Sequence, residues 1–147
     1  MRTEPYPLTD IVDIITRTIS QMQGAAMEAG EFADLSMRQI TCLGLIAHME
    51  EPTATDLART LQVTKPTVSA LLGRLAQNGF VRKERSRTDA RSWHVHLTAR
   101  GEAVMAAHRA VHERIAAELV RNLDETERAR LAALLSKVVD SLPDDRP

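Results

Sequence analysis

Three sets of side chains in this 147-residue sequence have types and spacings suited to chemistry. The first is His108 and His112. Four residues apart on a helix, two imidazoles project from one face a turn apart, the spacing of a metal-ligand pair. The competing assignment is packing. At about 100° per residue, His108 falls in the stripe of Val104, Val111, Ile115 and Leu119, with His112 at its edge. The second is Cys42, the lone cysteine. A redox-sensing thiolate needs an accessible, electropositive setting, and Cys42 lies between apolar helix positions where an inert thiol is the default. The third set is cationic. Arg82, Lys83, Arg85, Arg87 and Arg91 crowd one stretch in which only Glu84 and Asp89 oppose them. Such a cluster can hold phosphates or place an arginine in a minor groove. The spacing of Asp89 and Arg91 lets the carboxylate orient the guanidinium. Charged hairpins also protect strand edges, the blander use of the same residues. Acid, base and nucleophile nowhere come together: pairs such as Asp144-Asp145 sit in a tail or on helix surfaces, and catalysis is not expected.

The cationic charge is concentrated. The whole chain carries −1, yet residues 53–98 hold eight basic side chains against three acidic, a net of +5, while residues 1–52 come to −5 and residues 99–147 to −1. A basic middle third in an otherwise acidic chain is what a polyanion-binding surface requires. Aromatics at 3% argue against stacking platforms for single-stranded nucleic acid. One cysteine excludes an intramolecular disulfide and fits a reducing cytoplasm. Arg2 and Glu4, followed by prolines, do not make a signal peptide, and no apolar run is long enough to span a bilayer. A soluble cytoplasmic protein without a membrane partner is expected.

The elements that must position these groups follow from periodicity and punctuation. Ile11, Ile14, Ile15, Ile19 and Met22 give helical spacing over 8–27 after Pro5 and Pro7. Ser36 and Gln39 make a capping box for a helix to Met49, with Ile40, Leu43, Ile46 and Ala47 along one face and Glu50-Glu51-Pro52 as its stop. A short helix is expected over 55–61, then a tight connection through Gln62-Val63-Thr64. Thr64 caps the next helix, which tolerates Pro66 in its first turn, buries Val68, Leu71, Leu72 and Leu75, and ends at Asn78-Gly79. Two strands, 80–85 and 92–97, form a hairpin, the second alternating so that Trp93, Val95 and Leu97 face the core of the wing while His94 and His96 face solvent or phosphate. Thr98 caps a long helix to about Asn122, and Asp124 to Glu127 box the start of a last one through Leu131, Leu134, Leu135, Val138 and Leu142.

Two short helices joined by a tight turn and followed by a hairpin make a winged helix-turn-helix. The fold class is mainly α with a small β-hairpin wing. B-DNA's major groove admits one α-helix, which its neighbours must hold against the phosphates. Lys65, Thr67, Ser69, Arg74 and Gln77 on the second helix, with Arg85, Arg87, Asp89 and Arg91 on the wing, are the expected contacts, and small Ala70 and Gly73 permit close approach. A rival of another class is a ligand-binding or metal-binding module whose winged fold serves protein contacts, but its surface need not be basic.

The stretch Leu57-Ala58, Val63-Thr64-Lys65-Pro66-Thr67-Val68-Ser69, Leu71-Leu72-Gly73-Arg74-Leu75, Asn78-Gly79-Phe80-Val81, Asp89-Ala90-Arg91 and Leu97-Thr98-Ala99-Arg100-Gly101 resembles the MarR family of bacterial transcriptional regulators. The likeness extends to Ser36–Gln39 and 123–135. It implies a homodimer of intertwined first and last helices, a palindromic operator in double-stranded DNA, and a small-molecule effector or oxidant that releases it, most simply from a repressor. This wing reads Asp-Ala-Arg where many members read Asp-Arg-Arg, so one usual charge is missing while Arg91 keeps its place. A zinc-responsive branch uses a histidine pair near His108 and His112 with further ligands on the first two helices. Here Thr41 or Cys42 stands near the second-helix position, leaving Glu28, Glu31 or His48 to improvise. Peroxide-sensing members place a cysteine near the start of the first helix, where this chain has none.

The residues support dimerisation independently, because the first helix and the final pair offer more apolar surface than one winged lobe needs, costly in water at about 25 cal/mol per Å². The expected organisation is 1–34 as the first dimerisation helix, 35–98 as the DNA-binding lobe and 99–147 as the remaining dimerisation helices, in one intertwined unit.

Overall fold

Helix starts in this chain are set by short polar side chains that take up free backbone N–H groups. A computed structural model describes residues 5–30, 32, 35–86 and 92–142, and shows α1 (Leu8–Glu28), α2 (Met37–His48), α3 (Ala54–Thr60), α4 (Lys65–Gln77), β1 (Val81–Arg85), β2 (Trp93–Leu97), α5 (Ala99–Leu119) and α6 (Glu125–Ser141). Reciprocal capping boxes open α2 (Ser36 with Gln39), α3 (Thr53 with Asp56) and α6 (Asp124 with Glu127). Thr64 and Thr98 cap α4 and α5 by accepting from Thr67 N and Gly101 N. Only α1 starts without a side-chain cap, after Pro7. The Thr53 box begins α3 one residue before the expected Thr55, and α5 stops at Leu119 rather than near Asn122.

The core gathers under α2, α3 and α4. Leu43, Leu57, Val68, Leu72 and Leu75 are fully enclosed, with Ile40, Leu45, Ile46 and Cys42 beside them. α2 is buried on more than the stripe its spacing suggests: Leu45 and Cys42 are inside, whereas Ala47 is exposed. Phe32 and Leu35, from the segment before α2, are also buried. α1 and α2 both pack on α5, which ties the helical region to the winged lobe.

The strands pair antiparallel from Val81↔Leu97 to Arg85↔Trp93. On the far edge of β2, Val95 N donates to Pro52 O at 2.9 Å, and Thr53 bridges His94. The segment entering α3 is thereby bound to the wing. The start of α5 locks the other end. A Cβ on Gly101 would lie 2.2 Å from the Phe80 carbonyl oxygen, so only glycine lets α5 approach the α4–β1 turn this closely. Gly79, at φ +76, supplies the left-handed residue that ends α4.

The periphery is different. α6 buries no residue, and Leu8, Val12, Ile14 and Ile15 on α1 join Leu134, Leu135, Val138, Val139 and Leu142 on the exposed apolar surface. No helix among the described residues is long and apolar enough to cross a membrane.

Candidate nucleic-acid interface

The interface is built on α4. Val68, Leu72 and Leu75 point one face of the helix into the core at 0% exposure, which leaves Lys65, Thr67, Ser69, Ala70, Gly73, Arg74 and Gln77 exposed on the other. Leu71 is half-buried at the boundary. A helix held by three enclosed aliphatics cannot roll, so its polar stripe is presented at a fixed angle. The turn that delivers it runs through Gln62 in the left-handed region at φ 53, and Val63 N donates to Ala58 O at 3.0 Å. Ala58 is buried, as the close α3–α4 crossing requires.

The stripe is polar and open. No protein atom lies within 4 Å of where a Cβ on Gly73 would stand, so the smallness there clears space for an approaching partner rather than for packing. The Thr67 hydroxyl lies 2.8 Å from that of Thr64, which orients it at the exposed start of the helix.

Arg85 is exposed at the end of β1. Arg87, Asp89 and Arg91, expected at the wing tip, fall outside the described residues. On one face of the hairpin, Arg82 pairs with Glu84 at 2.5 Å and His96 stands 3.9 Å from the same carboxylate. His94 is engaged as well, donating from Nδ1 to the Glu51 carbonyl. It thus fastens the wing to the loop before α3 rather than reaching for phosphate. Trp93 corrects the sequence-based expectation. It is 52% exposed, because the inward face of β2 outruns the core after Val95. Sequence reasoning missed the exposure of Trp93, since alternation reports which face a residue takes and not where the core ends.

The candidate sensors sit at the junction of α1, α2 and α5. His108 packs against Phe32, ring centroids 5.6 Å apart, and against His112 at 4.3 Å. Burial, then the neighbouring His112, pushes the His108 imidazole below its usual range. Gln23 Nε2 donates to His112 Nε2 at 3.3 Å, so α1 and α5 are joined through the pair. Among the described residues no group of three or more His, Cys, Asp or Glu is placed to hold a metal ion. Of the improvised ligands, His48 donates to Gly44 O, Glu28 is exposed at the end of α1, and Glu31 lies outside the described residues. Cys42 is enclosed at 0% exposure, and burial pushes its thiol up to about 11. That is the opposite of the accessible, low-pKa setting a redox sensor uses.

Between α2 and α5 a cleft of about 950 Å³ opens, lined by Met37, Ile40, Thr41, Met105, His108 and His112 among others.

Fold and site together define a winged helix-turn-helix protein. The chain matches the MarR family model over residues 33–92. It is 29% identical over 111 residues to the transcriptional regulator HosA of Escherichia coli O127:H6, covering 76% of this chain and 82% of HosA. A single-site variant of S. aureus MepR superposes with a TM-score of 0.72 at 26% identity, covering 97% of this chain and 100% of that one. The S. aureus MepR–DNA complex does so with a TM-score of 0.70 at 27% identity, over 92% and 99% of the two chains.

Proposed function

We propose that the protein is a sequence-specific double-stranded DNA-binding transcriptional regulator, a homodimeric repressor that a small ligand releases from a palindromic operator. One observation carries the DNA end: Val68, Leu72 and Leu75 are fully enclosed while Thr67, Ser69, Arg74 and Gln77 on the same helix are exposed. The likeness to MepR in its complex with DNA supports the same assignment. Thr67, Ser69, Arg74 and Gln77 would meet base edges and nearby phosphates, and Lys65 a phosphate at the start of the helix. Arg91, two residues after Asp89, is the candidate for the minor groove, with Arg85 and Arg87 on the backbone. No step of this function calls for catalysis.

The apolar surfaces of α1 and α6 support the dimer. Pairing two copies about a two-fold axis would cover them and set two α4 helices on half-sites about 34–36 Å apart. The α2–α5 cleft supports ligand control, because it lies between α2 of the winged lobe and α5, the helix on which α1 packs. Zinc at His108 and His112 has less support, having no third ligand among the described residues.

Selecting genomic fragments bound by the purified protein tests the reading. A short inverted repeat should emerge, with Thr67→Ala or Ser69→Ala altering base preference and Arg91→Ala weakening binding across sequences. Recovery of fragments without any common motif would sink sequence-specific recognition.

A further inference from the structure

Directly opposed residues of an antiparallel pair share a face, so the register puts Lys83 with Val95 and Arg85 with Trp93 on one side of the hairpin. The two faces are charged differently. Arg82 and Glu84, on the opposite face, neutralise each other. Lys83 has no ion-pair partner among the described residues, and neither has Lys65 on α4. Val95 remains in the core, but one pleat further on Trp93 stands half in solvent. Between this face and the start of α4 lies a groove of about 390 Å³, bordered by Thr55, Lys65, Lys83, Ser92, Trp93 and Val95.

Two uncompensated ammonium groups beside an exposed indole suit an occupant that is anionic at one point and apolar next to it. A deoxyribose-phosphate unit has that character: phosphate for the lysines, the carbon face of the sugar for the ring. Indole supplies this contact area at little conformational cost. The groove also lies between recognition helix and wing, where a strand gripped by both would pass. We infer that it clamps the DNA backbone, and that Trp93 and Lys83, with Lys65, are DNA-binding residues. The inference rests on the proposed DNA-binding function and adds a third point of grip between helix and wing tip.

Trp93 is the only tryptophan in the chain, so its emission reports on this groove alone. The full-length protein is titrated with a mixed-sequence duplex of about 30 bp, long enough for two half-sites, at low salt. Binding is read separately from the anisotropy of a dye on the duplex. At saturation Trp93 should lose at least half of its accessibility to acrylamide. Lys83→Ala should make the slope of log affinity against log salt shallower by about 1. Trp93→Ala should weaken binding roughly five-fold, while Trp93→Phe retains most of it. If the duplex binds and Trp93 stays equally open to acrylamide, the clamp is refuted and the DNA-binding function stands. If anisotropy shows no binding to any duplex, the function itself fails and the clamp with it.

Discussion

α4 and α6 are both amphipathic helices, yet they use their faces in opposite ways. α4 sinks its apolar residues completely and works through the polar stripe that remains. α6 buries nothing, so its apolar residues are the side left to meet a partner. α4 is completed within one chain; α6 leaves its apolar residues uncovered. A single fold thus presents a rigid polar surface on α4 and an uncovered apolar surface on α6.

Substitutions can break this contrast, the largest effects first. Leu72→Ala removes a fully enclosed core side chain of α4, so chemical denaturation should show a loss of about 2–5 kcal/mol. At equal cost to the core, Leu135→Asp on α6 would undo the comparison. It should instead leave the winged lobe folded and turn the dimer into a monomer in sedimentation. Gly101→Ala forces a methyl onto the Phe80 carbonyl and should cost about 1–3 kcal/mol, read from the same denaturation curves. An effect below that would mean the α5–wing junction yields easily.

Asp56→Ala removes half of the α3 capping box and should cost about 1 kcal/mol. The Asp56 carboxyl is held below its ordinary range by its bonds to Thr53, opposed by partial burial and helped by Arg59. A depressed carboxylate stabilises the fold above the unfolded pKa and loses that contribution as pH falls through the folded one. The gap between wild type and Asp56→Ala should therefore close in acid, below pH 3.8. The smallest effect concerns His108. Its folded pKa is depressed below 6.5, so protonation favours the unfolded chain. Stability should fall as pH drops from 6.5 toward the folded pKa, and His108→Gln should flatten that part of the curve.

Most of the architecture was legible because its signals are local. Ser36 with Gln39, Thr64 before Pro66, Asn78-Gly79 and Asp124 with Glu127 each specify a helix end within a few residues, and the structure has all four. The exposed stripe of α4 followed from the spacing of Val68, Leu72 and Leu75. What escaped depends on distant parts of the chain. Phe32 and Leu35 carry no periodicity, yet both are buried, Phe32 against His108 of α5. Ala47 has the right spacing but no neighbour to bury it. Trp93 alternates correctly and emerges because the core stops at Val95. His94 looks like a surface histidine until the Glu51 carbonyl arrives beside it. The Asp89–Arg91 part of the site was read from spacing and resemblance alone.

The exposed face of α4 is the proposed grip on double-stranded DNA. The most direct measurement is the affinity of wild type and Arg74→Ala for one selected duplex across a salt series. Wild type should show a steep fall, with several phosphates' worth of slope. Arg74→Ala should be weaker by about 1–3 kcal/mol with unchanged thermal stability. Affinity that ignores salt, or that survives Arg74→Ala undiminished, would contradict it.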